Sequence, residues 1–443
     1  MIGRMGAGGT TDGWSLMDLI LHIGCEKTGT TSLQNWLQHN AQALPSRKVF
    51  YSKALGRPNN RRLTLYGLET GRKDELLLQE NVRTPEEHEA LRRRVKAEFT
   101  LEVEQCKRRG IQQMVISNEH LQSRCYKDEN VEPIRDLLVP LFDTIRVYIF
   151  VRPQMDTCLS LASTMARNGA EVSRRWMDDL LKPKLAYFDM QALMERWAKY
   201  FGRESIVPVP FRRCKDIVTY FEQQMKLAEP QLPREKSFNE ALDYRVIAMC
   251  NAMQLKGIED NELNQSRRFY INDLPVDERL SIDRDSAQVL QARFDETNAA
   301  LCREWPQIQI DDMNPDWSRY PEVGNIDKVL ALQEFGPFLR YIVERFNGEC
   351  WWHQARWAAA AAEREGMAAR LDSGIRTAEF GIRAARHAMK QEIYVQKAER
   401  MIENLELRLI RLRRRREREE AEAAASAEAE RLEEQAAGAG AIL

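Results

Sequence analysis

No CxxC pair occurs among the eight cysteines, which stand apart at Cys25, Cys106, Cys125, Cys158, Cys214, Cys250, Cys302 and Cys350. That spacing argues against a disulfide framework or a zinc ligand set, and it fits a reducing compartment. No run approaches the ~18 consecutive apolar residues of a membrane-spanning helix. The opening MIGRMGAGGTTDGW lacks the apolar stretch of a secretory signal. The chain is therefore expected in the cytoplasm, with no membrane span. An excess of one charge is missing as well. Lys and Arg number 66 against 67 Asp and Glu, for a net charge of −1. Bulk charge thus predicts neither nucleic-acid nor membrane binding, and any anion site must be local.

What is present is a chain of 443 residues that is 43% hydrophobic and 30% charged, enough for a catalytic domain and an appendage. The first seventeen residues, rich in Gly and Thr up to Met17, are expected to be a disordered leader. Short apolar runs at Asp18–Ile23, Lys48–Tyr51, Gln113–Ser117, Thr144–Val151 and Ser205–Phe211 read as strands. Two prolines demote the last of them to a sheet edge or a strand end. Between the strands lie helical patterns, including Leu33, Trp36, Leu37 and Leu44 at helical spacing. Strands alternating with helices predict an α/β domain with a central, mainly parallel sheet.

The domain is expected over 18–350, with its α/β core at 18–215 and a mostly helical part at 216–350. Residues 351–443 read as a helical tail, rich in Ala, Glu and Arg and without proline from 355 to 440. Within it Val395, Ala398, Ile402, Leu405, Leu409 and Leu412 alternate steps of three and four. This is a coiled-coil seam at 395–412, and homo-oligomer formation through it is expected. The arginine run Arg408–Arg418 is followed at once by Glu419, Glu420 and Glu422, as on a solvated, salt-bridged face. Trp351, Trp352 and Trp357 are expected to dock the tail.

The strongest motif is LHIGCEKTGTTSLQNWL, residues 21–37. A strand feeding a glycine turn at a helix N-terminus makes an anion site, because unpaired N–H groups and the helix dipole face the ligand. Gly24 and Gly29 allow the backbone to curl closely. Thr30, Thr31 and Ser32 add hydroxyls, and Lys27 adds a cation. In a nucleotide-triphosphatase loop the lysine follows the second glycine, where Thr30 stands here. The plain alternative is an ordinary strand-to-helix turn.

A second motif is IFVRPQMDTCLSLASTMARNG, residues 149–169. Arg152 ends a strand and Ser160 lies eight residues on, in the next helix. A guanidinium and a hydroxyl so placed can grip a phosphate. The commoner fate of such an arginine is pairing with a nearby carboxylate.

Together, LHIGCEKTGTTSLQ and VRPQMDTCLS resemble the PAPS-dependent sulfotransferase family, closest in form to its bacterial and carbohydrate-type members. The resemblance covers about residues 18–215. It implies a P-loop-like three-layer fold and sulfuryl transfer from 3′-phosphoadenosine 5′-phosphosulfate (PAPS) to a hydroxyl, without a metal. It further implies that Lys27, Thr28, Gly29, Thr30, Thr31 and Ser32 hold the 5′-phosphosulfate, and Arg152 and Ser160 the 3′-phosphate. The acceptor implied by that branch is a saccharide or glycolipid.

In-line transfer needs a cation on the leaving group, for which Lys27 serves, and a base on the acceptor. Glu119 and His120 follow the strand Gln113–Ser117, and the family draws its base from this part of the fold. Glu119 is preferred, with His120 second. The plain alternatives are a Glu119 that caps a helix or pairs with Arg124, and a His120 that is merely buried. His22 reads as core and Cys25 as a small filler. Two other readings are a P-loop kinase or NTPase, and an inactive sulfotransferase-like coiled-coil scaffold.

Overall fold

The computed structural model describes residues 16–80, 82–227, 232–234, 241–252, 274–331, 336–367, 370–390 and 394–440, with side chains described except at 336–347 and 426–440. Residues 1–15 of the expected leader lie outside that set.

Five strands form one sheet: β1 (Asp18–His22), β2 (Val49–Tyr51), β3 (Gln113–Ser117), β4 (Thr144–Val151) and β5 (Ile206–Pro210). The order is β2-β3-β1-β4-β5 and every pairing is parallel. Three central strands read as near-continuous apolar runs because helices cover both faces. Side chains alternate between those faces. Leu19 and Leu21 join Ile116, Val147 and Val151 in a core completed by Val95, Phe99 and Trp197. Ile20, Val115, Tyr148 and Phe150 point the other way, onto Leu33, Trp36, Leu37 and Phe221. β5 carries Pro208 and Pro210 and pairs with β4 alone. An edge strand can lack two amide donors, as its prolines foretold.

Register fixes where the loops go. His22 lies opposite Ser117 of β3 and Tyr148 of β4. The loops leaving β1, β3 and β4 therefore emerge side by side, where parallel sheets bind ligands. Helix α1 (Thr30–His39) follows β1, α2 (His120–Arg124) follows β3, and α3 (Gln154–Arg167) follows β4.

The chain divides into two compact units. The first holds the sheet and runs to Ala331, apart from 252–266; the second holds 332–443 with 252–266. In the second, α4 (Gly336–Met367), α5 (Leu371–Lys390) and α6 (Val395–Gly440) pack together. α4 runs through position 350, where the sequence suggested a boundary.

Three layers cement this unit. Ala398 meets Trp351, Trp352, Ala355, Ala384 and Ala388. Leu405 meets Ala362, Ala378 and Ile382. Leu412 meets Leu371 and Ile375. Residues seven apart on α6 thus bury one face, as the heptad pattern required. Their partners are helices of the same chain, chiefly α5, running antiparallel, with α4 beside it. Trp351 and Trp352 are buried inside this bundle, while Trp357 is 62% exposed. The arginine run is salt-bridged within the unit, Arg413 to Glu379 at 2.6 Å and Arg416 to Asp372 at 3.2 Å. No helix of the described residues is long and apolar enough to cross a membrane.

Candidate active site

The turn after β1 is shaped by left-handed backbone. Gly24 has φ 111° and Gly29 φ 84°, and Lys27 between them adopts φ 65°. A Cβ on Gly24 would sit 3.4 Å from the Glu119 backbone. It is the positive φ that calls for glycine there, with the two loops packed at contact distance. Lys27 occupies a region disfavoured for residues with a side chain. Such conformations persist where surrounding structure fixes them, as in ligand-holding loops. Gly29 caps α1, so the amides of Thr30 and Thr31 at its start have no intrahelical acceptors, while Ser32 N donates to the Gly29 carbonyl at 3.0 Å. Thr30 is buried, Thr31 is exposed and Ser32 half-buried. Thr28 is turned inward, its hydroxyl donating to the Cys25 carbonyl at 2.6 Å. It braces the loop from within.

Lys27 reaches across to α3 and donates from Nζ to Thr164 Oγ1 at 2.8 Å. Burial, reinforced by the like charges of Arg167 and Arg152, outweighs Glu26 and Glu119 and lowers its pKa. Arg152, at the end of β4, donates from Nη1 to the Lys27 carbonyl at 2.6 Å. Its guanidinium lies 5.3 Å from the centre of the Phe211 ring. Burial and nearby Arg319 depress its pKa against the pull of Asp156 and Tyr320, yet an arginine stays charged. The two anion motifs of the sequence thus meet in one place. Ser160 is half-buried on α3, two turns past Arg152.

Glu119 directly precedes α2 and makes no side-chain cap. Its carboxylate accepts from Gln34 Nε2 of α1 at 2.5 Å. Arg124 pairs instead with Asp74 at 3.3 Å and Glu75 at 2.8 Å. It also donates to His120 Nδ1 at 3.0 Å. A guanidinium has only donors. Glu26 Oε1 lies 3.8 Å from the same Nδ1. Burial works to raise the Glu26 pKa, but contacts with His120, Ser123 and Tyr187 prevail and lower it. Tyr187 donates to Glu26 Oε2 at 3.0 Å.

His22 is fully buried against Phe150 and Phe221, with Nδ1 2.9 Å from Ser117 Oγ. Burial pushes its pKa down to about 3, so it is a neutral core residue. Cys25 is buried 3.5 Å from Met190 Sδ, and burial with Glu26 beside it pushes the thiol up, away from thiolate chemistry. Among the described residues no group of three His, Cys, Asp or Glu could hold a metal ion.

Sequence reasoning missed Gln34, Glu26, Thr164, Tyr187 and the Arg319–Tyr320 pair. Gln34 left a signal, because a polar residue between Leu33 and Trp36 falls on the buried face of α1. The others act across long separations. Tyr320 donates to Asp156 Oδ1 at 2.7 Å over 164 residues, and nothing local announces that.

Residues 20–226 match the sequence profile of the Sulfotransferase family. Among solved structures, a sulfotransferase from Alicyclobacillus acidocaldarius aligns at 14% identity. The alignment covers 63% of this chain and 97% of that one, with a TM-score of 0.30. No curated protein sequence matches.

Proposed function

We propose that the chain carries a sulfuryl group from PAPS to a hydroxyl of a saccharide or glycolipid, a reading supported by the match of residues 20–226 to the Sulfotransferase family. The observation that carries this reading is the bond from Arg152 Nη1 to the Lys27 carbonyl at 2.6 Å. It supports one nucleotide being held at both ends. Lys27, Thr28, Gly29, Thr30, Thr31 and Ser32 would receive the 5′-phosphosulfate, with Arg152 and Ser160 on the 3′-phosphate. The loop suits such a group, since its helix amides and one ammonium converge on a glycine-lined turn.

The acceptor hydroxyl gives its proton to Glu119, and its oxygen forms a bond to sulfur. The bond from sulfur to the 5′-phosphate oxygen breaks, and the electron pair leaves with adenosine 3′,5′-bisphosphate. Lys27 neutralises that developing charge in a partly buried site, where a fixed cation counts for more than in water. Glu119 is favoured over His120 because Gln34 of α1 orients its carboxylate, whereas His120 Nδ1 is engaged by Arg124 at 3.0 Å with Glu26 at 3.8 Å. The seam at 395–412 packs on α5 and α4 of the same chain, and light scattering of the parent protein tests whether it also joins two copies.

Melting curves with adenosine 3′,5′-bisphosphate, without magnesium, test the nucleotide site. A rise that is weakened in Lys27→Ala and Arg152→Ala supports it. A response to ATP with magnesium and none to the bisphosphate would instead indicate a P-loop kinase or NTPase. Labelled sulfate transfer from PAPS to a glycan and glycolipid panel tests the acceptor. Binding without transfer to any member, or to extracts, would indicate an inactive scaffold.

A further inference from the structure

We infer that Gln34 is a positioning residue that ties the base Glu119 to the helix holding the sulfuryl donor; this rests on the reading of Glu119 as base. Gln34 is 3% exposed, in the second turn of α1. Its amide nitrogen lies 2.5 Å from Glu119 Oε2 and 3.4 Å from the Ser117 carbonyl. Both neighbours are acceptors, so the amide can face them only through its nitrogen. Ser117 Oγ lies 3.4 Å from the same nitrogen and in turn contacts His22 Nδ1 at 2.9 Å. The amide is therefore locked from behind by β3 and β1, with one hydrogen aimed at the carboxylate.

The first turn of α1 faces the donor loop, and the next turn carries Gln34. A rigid helix thus fixes the distance between the transferring group and the base. In-line transfer is sensitive to such placement on the scale of about an ångström. Glu119 itself sits where a β-strand has just ended, in a short turn that would leave its side chain free without this donor. The other groups set against it are Lys27 of the donor loop and Tyr51 of β2. Tyr51 is buried and its hydroxyl donates to the Pro58 carbonyl. Gln34 is accordingly the uncharged donor that orients Glu119, while Lys27 remains available to the donor.

Replacing Gln34 by methionine keeps length and removes the donor. The test is a double-mutant cycle with Glu119→Gln, because a residue that acts only by orienting Glu119 has nothing left to orient once that carboxylate is gone. In the Glu119→Gln background Gln34→Met should therefore cost no further activity. In the parent background, with the glycan that accepts sulfate in the panel, kcat should fall about 10–100-fold, the range for losing an orienting partner. The donor KM and the bisphosphate-induced melting shift should stay unchanged. Should Gln34→Met not fold, Gln34→Asn, whose amide is one methylene short, makes the same comparison. A further loss in the Glu119→Gln background as large as in the parent overturns the inference, as does a loss confined to donor KM. If Glu119→Gln keeps full transfer, the base itself is wrong, a failure distinguishable from an inert Gln34 beside an essential Glu119.

Discussion

Lys27 Nζ donates to Thr164 Oγ1 at 2.8 Å, so the cation of the first βα turn is held by the helix after β4. Two anion motifs far apart in the chain are thereby joined through side chains as well as through Arg152. Removing the ammonium by Lys27→Ala should lower kcat by about 100–1,000-fold, the range for losing one preorganised charge stabiliser. Thr164→Val, which only frees the ammonium to move, should cost less. Steady-state rates with PAPS and the panel acceptor measure both.

The same lysine makes a prediction in pH. Its folded pKa is lowered, first by burial and then by Arg167 and Arg152. The charge is present below that value and is lost as pH rises through it, earlier than for a free lysine. The kcat/KM of the free enzyme should therefore fall on the alkaline side before the ordinary lysine range is reached. Lys27→Arg should remove that limb, since an arginine stays charged. A profile flat through pH 10 in the parent protein would contradict it.

Glu119 and His120 should separate cleanly. Glu119→Gln is expected to lower kcat by about 100–10,000-fold, the range for general-base loss, while bisphosphate affinity holds by calorimetric titration. His120→Asn should be milder, because His120 points Nδ1 at Arg124. The reverse ranking would transfer the base role to His120.

What was legible in the sequence followed local rules. The β1–turn–α1 unit showed itself through an apolar run, two glycines and helical spacing of Leu33, Trp36 and Leu37. Arg152-Pro153 marked a strand end, and the prolines of β5 marked an edge. The seam of α6 was legible as periodicity, but not the identity of its partner, because a heptad pattern is the same whether the covering helix is another chain or its own. Thr164, Tyr187 and Tyr320 were illegible for a related reason. Each reaches the site from a separate element, and a single hydrogen bond over more than a hundred residues leaves no local spacing behind. Gln34 stood between these cases, visible as a polar residue on an apolar face but not as a donor to Glu119.

Gly24 should be intolerant of any side chain. At φ 111° an alanine is strained, and its Cβ would lie 3.3 Å from the Glu26 nitrogen and 3.4 Å from Glu119 Cα. Strain of this kind costs about 1–3 kcal/mol. Gly24→Ala should lower the melting midpoint and also weaken bisphosphate binding, because relief requires the loop to move from α2. Thermal melts with and without the bisphosphate read both effects. A variant with parental affinity would mean that the loop adapts without losing its shape.

In the second unit, Gly381 offers a test that leaves the first unit's site untouched. A Cβ there would stand 2.9 Å from Leu405 Cδ1 and 3.1 Å from Ala358 Cβ. Three helices meet at that point, and the Ala358 Cβ, unlike the Leu405 methyl, has no rotatable bond by which to withdraw. Overpacking of this type costs about 1–3 kcal/mol, so Gly381→Val should loosen the layer where Leu405 meets Ala378 and Ile382. Limited proteolysis should then cut sooner within 336–440, and helical ellipticity should melt earlier. Because the seam is satisfied within one chain, loosening it exposes apolar surface that was covered. The mass by light scattering should rise in the variant relative to the parent. An oligomeric parent that Gly381→Val dissociates would show instead that the seam joins two chains.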